Sequence, residues 1–343
     1  MNMKESISKP HLPACFVELP PETEGRRAAF YLAAEEYIAE HLPEGSYFFT
    51  WQLGRTVVMG RNQVAHQEVN LDYCRKEGID VIRRRSGGGA IYADEGNIMT
   101  SLITEAYPVE TLFREYAEAI AHALRSLGAP AQVSGRNDIV LEPPQGGSFK
   151  ICGNAFYQKP DRCIAHGTML YDTDPARMEG ALKPNIDKLQ TKGVKSVRSR
   201  VGTLKDYLPF GVDTLRQQLR LLLCNRSITL TDDNVQQIEQ LEQRYYAPEF
   251  LLGSTGRNDV ERRGRIEGCG LVELHFRLHG SLVEAVELTG DFFDLADAQQ
   301  VFNACFARRP FTHESLVQAI REHHPEHCIR GLTEEGLLKI IGN

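Results

Sequence analysis

A run of cations leads directly into a run of glycines at residues 83–89, which read Arg-Arg-Arg-Ser-Gly-Gly-Gly. Adjacent glycines let the backbone approach a ligand closely and present its N–H groups, because they lack a Cβ atom. Guanidinium groups are planar forks that match the oxygens of phosphate or carboxylate. The segment therefore predicts a binding site for an anionic ligand.

The chain around this segment differs from the common nucleotide-binding loops. Those loops follow a strand and open a helix, whose N-terminus helps to hold the phosphate. Residues 78–82 do predict a strand, but the apolar, β-branched run at 98–104 predicts another strand after the glycines. We therefore expect backbone amides and arginines alone to hold the anion. A hairpin turn flanked by solvated arginines is the alternative.

A lysine interrupts the predicted strand at residues 148–158, which is otherwise largely apolar. Side chains alternate between the two faces of a strand, so Lys150, Cys152 and Asn154 are expected to share a face. Two interpretations stay open from the residues alone. The lysine is either an edge residue that reaches solvent or a fixed cation directed at a ligand.

Six further cations lie in residues 182–200, among Pro, Asn, Gly, Ser and Thr. This composition favours neither helix nor strand, so it predicts a long loop. Loops of this length are usually functional or disordered. A solvated basic loop and a ligand-binding loop both remain possible.

Composition limits the classes of function. The 343 residues are enough for two domains, and 42% are hydrophobic. The formal charge of −7 argues against general binding of nucleic acid or membrane surfaces. No apolar run reaches membrane-spanning length, no apolar signal segment is evident, and the eight cysteines include no Cys-x-x-Cys pair. We expect a cytoplasmic protein with reduced thiols.

Hydrophobic spacing and turn residues outline the remaining elements. Helices are predicted at residues 22–41, 70–76, 109–127, 213–224 and 233–245, a strand hairpin at 47–53 and 56–59, and a series of strands over 132–171. Residues 264–343 predict two strands and three helices. We therefore expect a domain at 1–246, a linker at 247–263 and a small C-terminal domain at 264–343.

Motifs of the common hydrolases are missing, since no Gly-x-Ser-x-Gly or His-Glu-x-x-His sequence occurs. The chain offers instead a glycine-rich anion site, a strand lysine and a cation-rich loop. This combination suits reactions at a nucleotide phosphate, in which stabilisation of charge is the main catalytic tool.

Motifs from Gly60 to about Asp206 resemble those of two-domain bacterial lipoate–protein ligases, with a fainter match over residues 264–294. In chain order they are Gly60-Arg61-Asn62-Gln63, Arg84-x-Ser86-Gly87-Gly88-Gly89-Ala90-Ile91-Tyr92, Asp94-x-Gly96-Asn97, Gly135-Arg136-Asn137-Asp138, Lys150-x-Cys152-Gly153-x-Ala155, His166-Gly167-Thr168-Met169-Leu170 and Lys192-Gly193-Val194-Lys195-Ser196-Val197-Arg198-Ser199-Arg200-Val201. Each motif is short, and their combination in this order is what makes the resemblance specific.

The resemblance implies an α+β fold, with a large mixed-sheet catalytic domain of the biotin/lipoate ligase type and a small C-terminal α+β domain. It also implies a reaction in two steps. Lipoate and Mg²⁺-bound ATP first give lipoyl-adenylate and pyrophosphate. A lysine of an acceptor then attacks the acyl carbon and releases AMP. The implied acceptors are lipoyl domains of 2-oxoacid dehydrogenase E2 subunits or the glycine cleavage H protein.

Carried over by motif, the resemblance assigns Lys150 as the catalytic residue, which counters the charge that builds as the carboxylate attacks the α-phosphate. Arg84 would hold acyl or phosphate oxygens, and Asp138 would serve Mg²⁺, which prefers oxygen ligands. Residues 182–198 resemble a loop that closes over the adenylate and keeps water from it. The other residues expected to bind ATP or lipoyl-AMP are Ser86, Gly87, Gly88, Gly89, Ala90, Ile91, Tyr92, Asn97, Asn137, His166, Thr168, Lys192 and Arg198.

Three positions depart from the family pattern. Ala165 stands where the first of two histidines is common before Gly-Thr, and Ala93 where a histidine is common after the glycine segment. Residues 245–250, Tyr-Tyr-Ala-Pro-Glu-Phe, lack the tryptophan often found in the linker. The first two departures bear on fine specificity, and the third bears on coupling between the domains.

Two other functions stay open. An octanoyl- or lipoyl-transferase of the same fold would act without ATP through a cysteine just before the lysine, but residues 135–149 contain none. Cys152 lies beyond the lysine and is interpreted as a small packed residue. An inactive lipoate-binding protein is the other alternative, and the presence of Lys150, Arg84 and Asp138 argues against it.

Overall fold

The computed structural model describes residues 12–135, 137–183, 201–252 and 259–342. The strands are β1 (Ala14–Glu18), β2 (Tyr47–Trp51), β3 (Thr56–Met59), β4 (Asp80–Arg83), β5 (Ile91–Ala93), β6 (Asn97–Glu105), β7 (Ala131–Ser134), β8 (Asp138–Leu141), β9 (Phe149–Gln158), β10 (Arg162–Leu170), β11 (Cys224–Thr229), β12 (Val260–Ile266), β13 (Gly270–His279) and β14 (Leu282–Gly290). The α-helices are α1 (Ala28–His41), α2 (Ala65–Glu68), α3 (Leu71–Glu77), α4 (Val109–Ser126), α5 (Pro175–Ala181), α6 (Val212–Leu223), α7 (Asp232–Glu242), α8 (Pro248–Leu252), α9 (Ala298–Phe306), α10 (His313–His323) and α11 (Glu334–Gly342). Within the described ranges, no helix is both long enough and apolar enough to cross a bilayer.

An eight-stranded mixed sheet forms the centre of the first part of the chain, in the order β11-β1-β2-β6-β10-β9-β8-β7. β1 pairs in parallel with β2 and β11, and the other neighbours pair antiparallel. Alternate side chains of these strands enter cores on opposite faces. Helices α4 and α6 pack in one core, and α1 and α7 pack in the other. The predicted series of strands over 132–171 is confirmed as β7 to β10.

The residues predicted to form a hairpin at 47–53 and 56–59 are divided between two sheets. β2 joins the large sheet, whereas β3 is the central strand of a three-stranded sheet with the order β4-β3-β5. The hairpin prediction is therefore wrong. Both strands are buried along their whole length, and each pairs with strands from elsewhere in the chain. Local spacing indicates that strands form, but it does not select their partners.

Residues 84–90, the glycine segment, join the two outer strands of the small sheet. β4 pairs in parallel with β3 and β5 pairs antiparallel with it, so the segment passes the end of β3. The Arg84 amide donates to the Met59 carbonyl and the Arg61 amide donates to the Ser86 carbonyl, each at 2.9 Å. The strands predicted at 78–82 and 98–104 are confirmed as β4 and β6, and residues 84–96 between them contain no helix, whereas the short strand β5 is not predicted from the sequence. A hairpin turn is excluded, because β4 and β5 are not neighbours in the sheet.

Helix α1 lies in the core between the two sheets. Its residues from Ala28 to Ala39 are all buried, which is the pattern of a helix covered on every side. Small alanine side chains let it fit between strands of the large and small sheets. The helix begins later than the predicted residue 22, because a 3₁₀ turn at Pro21–Thr23 and Gly25, with φ of +73°, precede it.

The last part of the chain is an antiparallel sheet in the order β12-β13-β14, with α9 to α11 contributing to its core. The predicted linker 247–263 contains regular structure, since α8 and the start of β12 lie in it. The proposed domain limits stay a prediction.

This C-terminal part packs on the glycine segment. The Gly88 amide donates to the Phe292 carbonyl at 2.9 Å. Phe293 stacks on Phe156 of β9, with ring centroids 5.4 Å apart. Asn62 donates to Asp294 at 2.7 Å. The glycine segment is therefore covered by the C-terminal part in this conformation.

The packing of the glycine segment yields a test at Gly60. A Cβ atom on Gly60 would lie 1.9 Å from the Gly88 carbonyl oxygen. We expect Gly60→Ala to lower the free energy of unfolding by about 1–3 kcal/mol, because one of the two backbones has to move. Urea unfolding followed by circular dichroism measures this change.

The matched control is Gly54→Ala, where the new Cβ would meet only Glu95 Oε1, at 3.7 Å. Its free energy of unfolding should change by less than about 0.5 kcal/mol. Equal losses in the two variants would contradict the role assigned to Gly60.

Candidate active site

A β-bulge in β9 determines where Lys150 points. Ile139 of β8 pairs with Cys152, but the next residue, Val140, pairs with Lys150, so Ile151 is an extra residue on β9. The Lys150 Nζ lies 3.0 Å from the position of a Cβ on Gly153. Lys150 and Gly153 therefore share one face, and Cys152 lies on the other. The expectation that Lys150 shares a face with Cys152 and Asn154 is wrong, because the bulge breaks the alternation.

The face of Lys150 also carries two other predicted residues. Gly153 pairs with Thr168 across the antiparallel ladder, and directly paired residues point to the same side of a sheet. His166 lies two residues from Thr168 on β10 and shares its side. This is the side packed against α1. The structure thus brings Lys150, Thr168 and His166 to one face of the large sheet.

The Lys150 ammonium forms an ion pair with Asp138, with Nζ 2.6 Å from Oδ1. Both side chains are partly exposed, Lys150 at 29% and Asp138 at 14% of their side-chain surface. An ammonium has three N–H donors, so one carboxylate partner leaves donors for a ligand. The pair is a fixed charge that solvent can still reach.

Asn137 positions the residue that follows it. Its Nδ2 donates to the Asn154 carbonyl at 2.9 Å, and Asn154 Nδ2 donates back to the Asn137 carbonyl at 3.1 Å. The reciprocal pair fixes the turn before β8 against β9. It thereby places Asp138 beside Lys150.

Directly after the cation-rich residues 182–200, the chain returns to Lys150. Val201 forms a parallel bridge with Lys150, and the Gly202 amide donates to the Lys150 carbonyl at 3.0 Å. Lys192 and Arg198, which the sequence predicts to bind ligand, lie outside the described residues. Their roles stay predictions.

Arg84 is buried, and its donors are used within the glycine segment. Its Nη2 donates to the carbonyls of Gly87 and Gly89 at 2.7 and 2.9 Å, and its Nη1 donates to the Val58 carbonyl at 3.0 Å. Burial lowers the pKa of Arg84 to about 10, so it remains charged at neutral pH. In this conformation Arg84 contacts the backbone of the segment, whereas the sequence predicts that it contacts a ligand.

The residues after the glycines point to two different cores. Ile91 packs in the core that contains α1, whereas Tyr92 is buried with residues of α2, α3 and α5. Ala90 is only partly buried. A ligand beside Ile91 would therefore lie on the opposite side of β5 from Tyr92, so the structure does not bring all three residues together.

Asn97 and Thr168 form part of a buried polar group. Asn97 Oδ1 accepts from the Asp94 amide at 3.0 Å and from Thr173 Oγ1 at 2.7 Å. Its Nδ2 donates to Thr168 Oγ1 at 3.3 Å. These bonds hold the turn before β6 and leave Asn97 without exposed surface.

His166 connects the glycine segment to helix α1. Its Nε2 lies 2.7 Å from Ser86 Oγ, and its Nδ1 lies 3.0 Å from both carboxylate oxygens of Glu35. Sequence reasoning does not identify Glu35. The available signal is a carboxylate within an alanine-rich, apolar helix, where a buried charge needs a partner.

Cys152 is a packed core residue. It is 1% exposed, and burial raises its pKa to about 12, against the opposing effect of the Lys150 charge. Its Sγ lies 3.2 Å from Asn154 Oδ1. A thiol in this state does not supply the thiolate that a nucleophile needs.

A cavity of about 190 Å³ lies between residues 61–64 and the C-terminal part. Its walls include Arg61, Asn62, Phe292 and Asp294 but neither Lys150 nor His166. Burial raises the pKa of Asp294, and the Asn62 hydrogen bond opposes that rise. The cavity belongs to the packing of the two parts and is separate from the Lys150 face.

Comparison with known proteins gives this geometry a family context. Residues 27–222 match the lipoyl protein ligase A/B catalytic domain family, and residues 257–341 match the bacterial lipoate protein ligase C-terminus family. Lipoate–protein ligase 1 of Staphylococcus aureus is 32% identical over 320 residues, which cover 90% of this chain and 95% of that protein.

Solved structures show the same relationship. The bi-partite lipoate protein ligase of Thermoplasma acidophilum, described with its E2 lipoyl domain, has a TM-score of 0.61 and 28% identity over 73% of this chain and 100% of that one. A lipoate-protein ligase A bound with ATP has a TM-score of 0.58 and 26% identity over 70% of this chain and 98% of that one. The predicted α+β fold, with its large mixed sheet and small C-terminal domain, is confirmed.

The state of Cys152 predicts its reactivity. We expect iodoacetamide at neutral pH to leave Cys152 unmodified in the folded protein, because the thiol is buried and protonated. Peptide mass spectrometry measures the modification, and the same protein in urea is the control in which Cys152 becomes fully labelled. Labelling in the folded protein at the rate of a free thiol would show that the site is open.

Proposed function

Because this chain belongs to the lipoate–protein ligase family, we propose that it activates lipoate with ATP to lipoyl-AMP and transfers the lipoyl group to a lysine of an acceptor domain. The observation that carries the proposal is the Lys150–Asp138 ion pair on the sheet face shared with His166 and Thr168. The ATP-bound relative supports the choice of nucleotide.

In the first step a carboxylate oxygen of lipoate attacks the α-phosphorus of ATP, and the bond to pyrophosphate breaks. Negative charge collects on the phosphoryl oxygens during this attack. We infer that the Lys150 ammonium stabilises that charge without forming a covalent bond, and its ion pair with Asp138 supports this role. A preorganised cation is effective because it needs no reorientation during the reaction.

In the second step the amine of the acceptor lysine attacks the acyl carbon, and AMP leaves with the phosphate oxygen. We infer that Lys150 stabilises the charge on the leaving AMP in the same way. The acceptors that we propose are lipoyl domains of 2-oxoacid dehydrogenase E2 subunits and the glycine cleavage H protein. The relative described with an E2 lipoyl domain supports the first of these.

Asp138 fits a role in holding Mg²⁺. Mg²⁺ is usually bound through one or two carboxylates together with substrate phosphates and water, and Asp138 supplies one partly exposed carboxylate beside Lys150. The ion would add positive charge at the nucleotide phosphates. Arg84 and the glycine carbonyls shape the loop, so we propose that Arg84 orders the segment rather than contacting substrate oxygens directly.

The transferase alternative requires a cysteine nucleophile near Lys150. Cys152 is on the other face of β9, and its pKa is raised. The structure therefore favours adenylation. The alternative of an inactive binding protein is separated by the first experiment below.

Lipoate-dependent exchange of labelled pyrophosphate into ATP, without acceptor, tests adenylation. We expect wild-type protein to catalyse exchange. In Lys150→Ala the exchange rate should fall at least about 10²-fold, which is the usual effect of removing a group that stabilises developing charge. Lys159→Ala is the control. Lys159 lies in the turn after the same strand and pairs with Glu40 of α1, so this variant should retain exchange. Wild-type protein without exchange would reject the proposed function.

A second test concerns the metal. Asp138→Asn should raise the Mg²⁺ concentration for half-maximal exchange by about tenfold or more, as is typical when a group that supports a metal is lost. Asp161→Asn, an exposed carboxylate in the turn between β9 and β10, is the control and should leave the Mg²⁺ dependence unchanged. A parallel fall in rate at every Mg²⁺ concentration would assign Asp138 to holding Lys150 alone.

A further inference from the structure

Two buried hydrogen-bond chains meet at the carboxylate of Glu35. On one side, the indole N–H of Trp51 donates to Ser101 Oγ at 2.9 Å, and Ser101 Oγ donates to Glu35 Oε1 at 2.6 Å. On the other side, His166 Nδ1 lies 3.0 Å from each carboxylate oxygen. Glu35 is fully buried, so its oxygens depend on these protein donors.

The series of hydrogen bonds continues from His166 into the glycine segment. His166 Nε2 lies 2.7 Å from Ser86 Oγ, and Arg84 Nε donates to the same oxygen at 2.9 Å. Arg84 then holds the carbonyls of Gly87 and Gly89. A line of direct contacts therefore runs from helix α1 to the backbone of the segment.

The chemistry of the groups fixes the direction of these bonds. Arginine can only donate and a carboxylate can only accept, so Ser86 Oγ accepts from Arg84 and Glu35 accepts from His166. A neutral histidine satisfies both contacts only with its hydrogen on Nδ1, which lets Ser86 donate to Nε2. A charged imidazolium would leave the Ser86 hydrogen without an acceptor among the described residues.

The same three residue types form the catalytic triad of many hydrolases. Here Ser86 has no exposed surface, and its Oγ is directed at the Arg84 guanidinium. A substrate carbonyl cannot reach this oxygen. The arrangement therefore serves to position groups and does not supply a nucleophile.

We propose that Glu35 is a positioning residue of the adenylation site: it holds His166 as the Nδ1–H tautomer and, through Ser86 and Arg84, fixes the backbone of the glycine segment. Loss of the Glu35 acceptor frees the histidine to reverse its hydrogen bonds. Ser86 Oγ would then accept from both His166 and Arg84, and its own hydrogen would have no acceptor among the described residues. A buried unpaired hydroxyl costs free energy, so the orientation that keeps Ser86 Oγ on Arg84 Nε is disfavoured. The inference rests on the proposed function, since adenylation is the activity that the segment serves.

The test compares two replacements of Glu35. Glu35→Gln keeps an acceptor oxygen but removes the charge, whereas Glu35→Met keeps the approximate size but removes both. We expect lipoate-dependent pyrophosphate exchange to fall at least about tenfold in Glu35→Met and less in Glu35→Gln, the size typical when the partner that orients a functional histidine is lost.

Nitrogen NMR of protein labelled with ¹⁵N-histidine reports the tautomer directly. His166 should show the Nδ1–H form in wild-type protein, should keep it in Glu35→Gln, and should lose it in Glu35→Met. The control is Glu36→Gln, which alters the next buried carboxylate of α1. Glu36 pairs with Arg85 and Tyr245, so the His166 signals should not change.

A double-mutant cycle tests whether Glu35 acts through Ser86. If Glu35 acts through Ser86, then Glu35→Met should have little effect on exchange in a Ser86→Ala background, whereas independent effects would multiply. Urea unfolding followed by circular dichroism shows whether each variant remains folded, and it does not depend on Trp51, which is linked to Glu35 through Ser101. This separates loss of positioning from loss of folding.

The outcomes are distinguishable. Exchange in Glu35→Met within about twofold of wild type, with the Nδ1–H tautomer retained, would overturn the inference while leaving the proposed function intact. Wild-type protein without any exchange would reject the proposed function. The NMR comparison would then still decide whether Glu35 sets the His166 tautomer.

Discussion

Two adjacent carboxylates on the buried helix α1 determine how the parts of the site are arranged. Glu35 accepts hydrogen bonds from the large sheet through Ser101 and is in contact with His166. Glu36 forms an ion pair with Arg85 at 2.7 Å. Arg85 lies two residues after the end of β4 and directly before Ser86 and the three glycines. A buried charge is tolerated only when such partners are present. Meeting this requirement on both sides ties the glycine segment to the large sheet.

The second determinant is the bulge at Ile151. One extra residue in β9 moves Lys150 from the side of Cys152 to the side of His166. The large sheet thereby carries a cation on the same face that packs against α1. Without the bulge, strict alternation would place the ammonium in the core packed by α4, where an unpaired charge is costly.

The sequence predicted the secondary-structure elements that carry the candidate site, but it did not predict the contacts between them. The loop that contains the glycines, the strand that carries Lys150 and helix α4 follow from residue types and spacing, and the structure has these elements where expected. Lys150 itself lies on the other face of its strand, because of the bulge. The hairpin over 47–59 was wrong because strand partners depend on distant residues. The bulge in β9 and the contact between Glu35 and His166 also could not be predicted from the sequence, because single-residue register shifts and buried ion pairs leave only weak local signals.

In the first step that we propose, the carboxylate of lipoate attacks the α-phosphorus of ATP. Lipoate labelled with ¹⁸O in both carboxylate oxygens tests it most directly, in a single reaction with ATP and an acceptor lipoyl domain. The account predicts that the AMP released carries one ¹⁸O atom, because the oxygen that bonds to phosphorus leaves with AMP when the lysine attacks the acyl carbon. Lipoylated acceptor formed together with AMP that contains no ¹⁸O would contradict it.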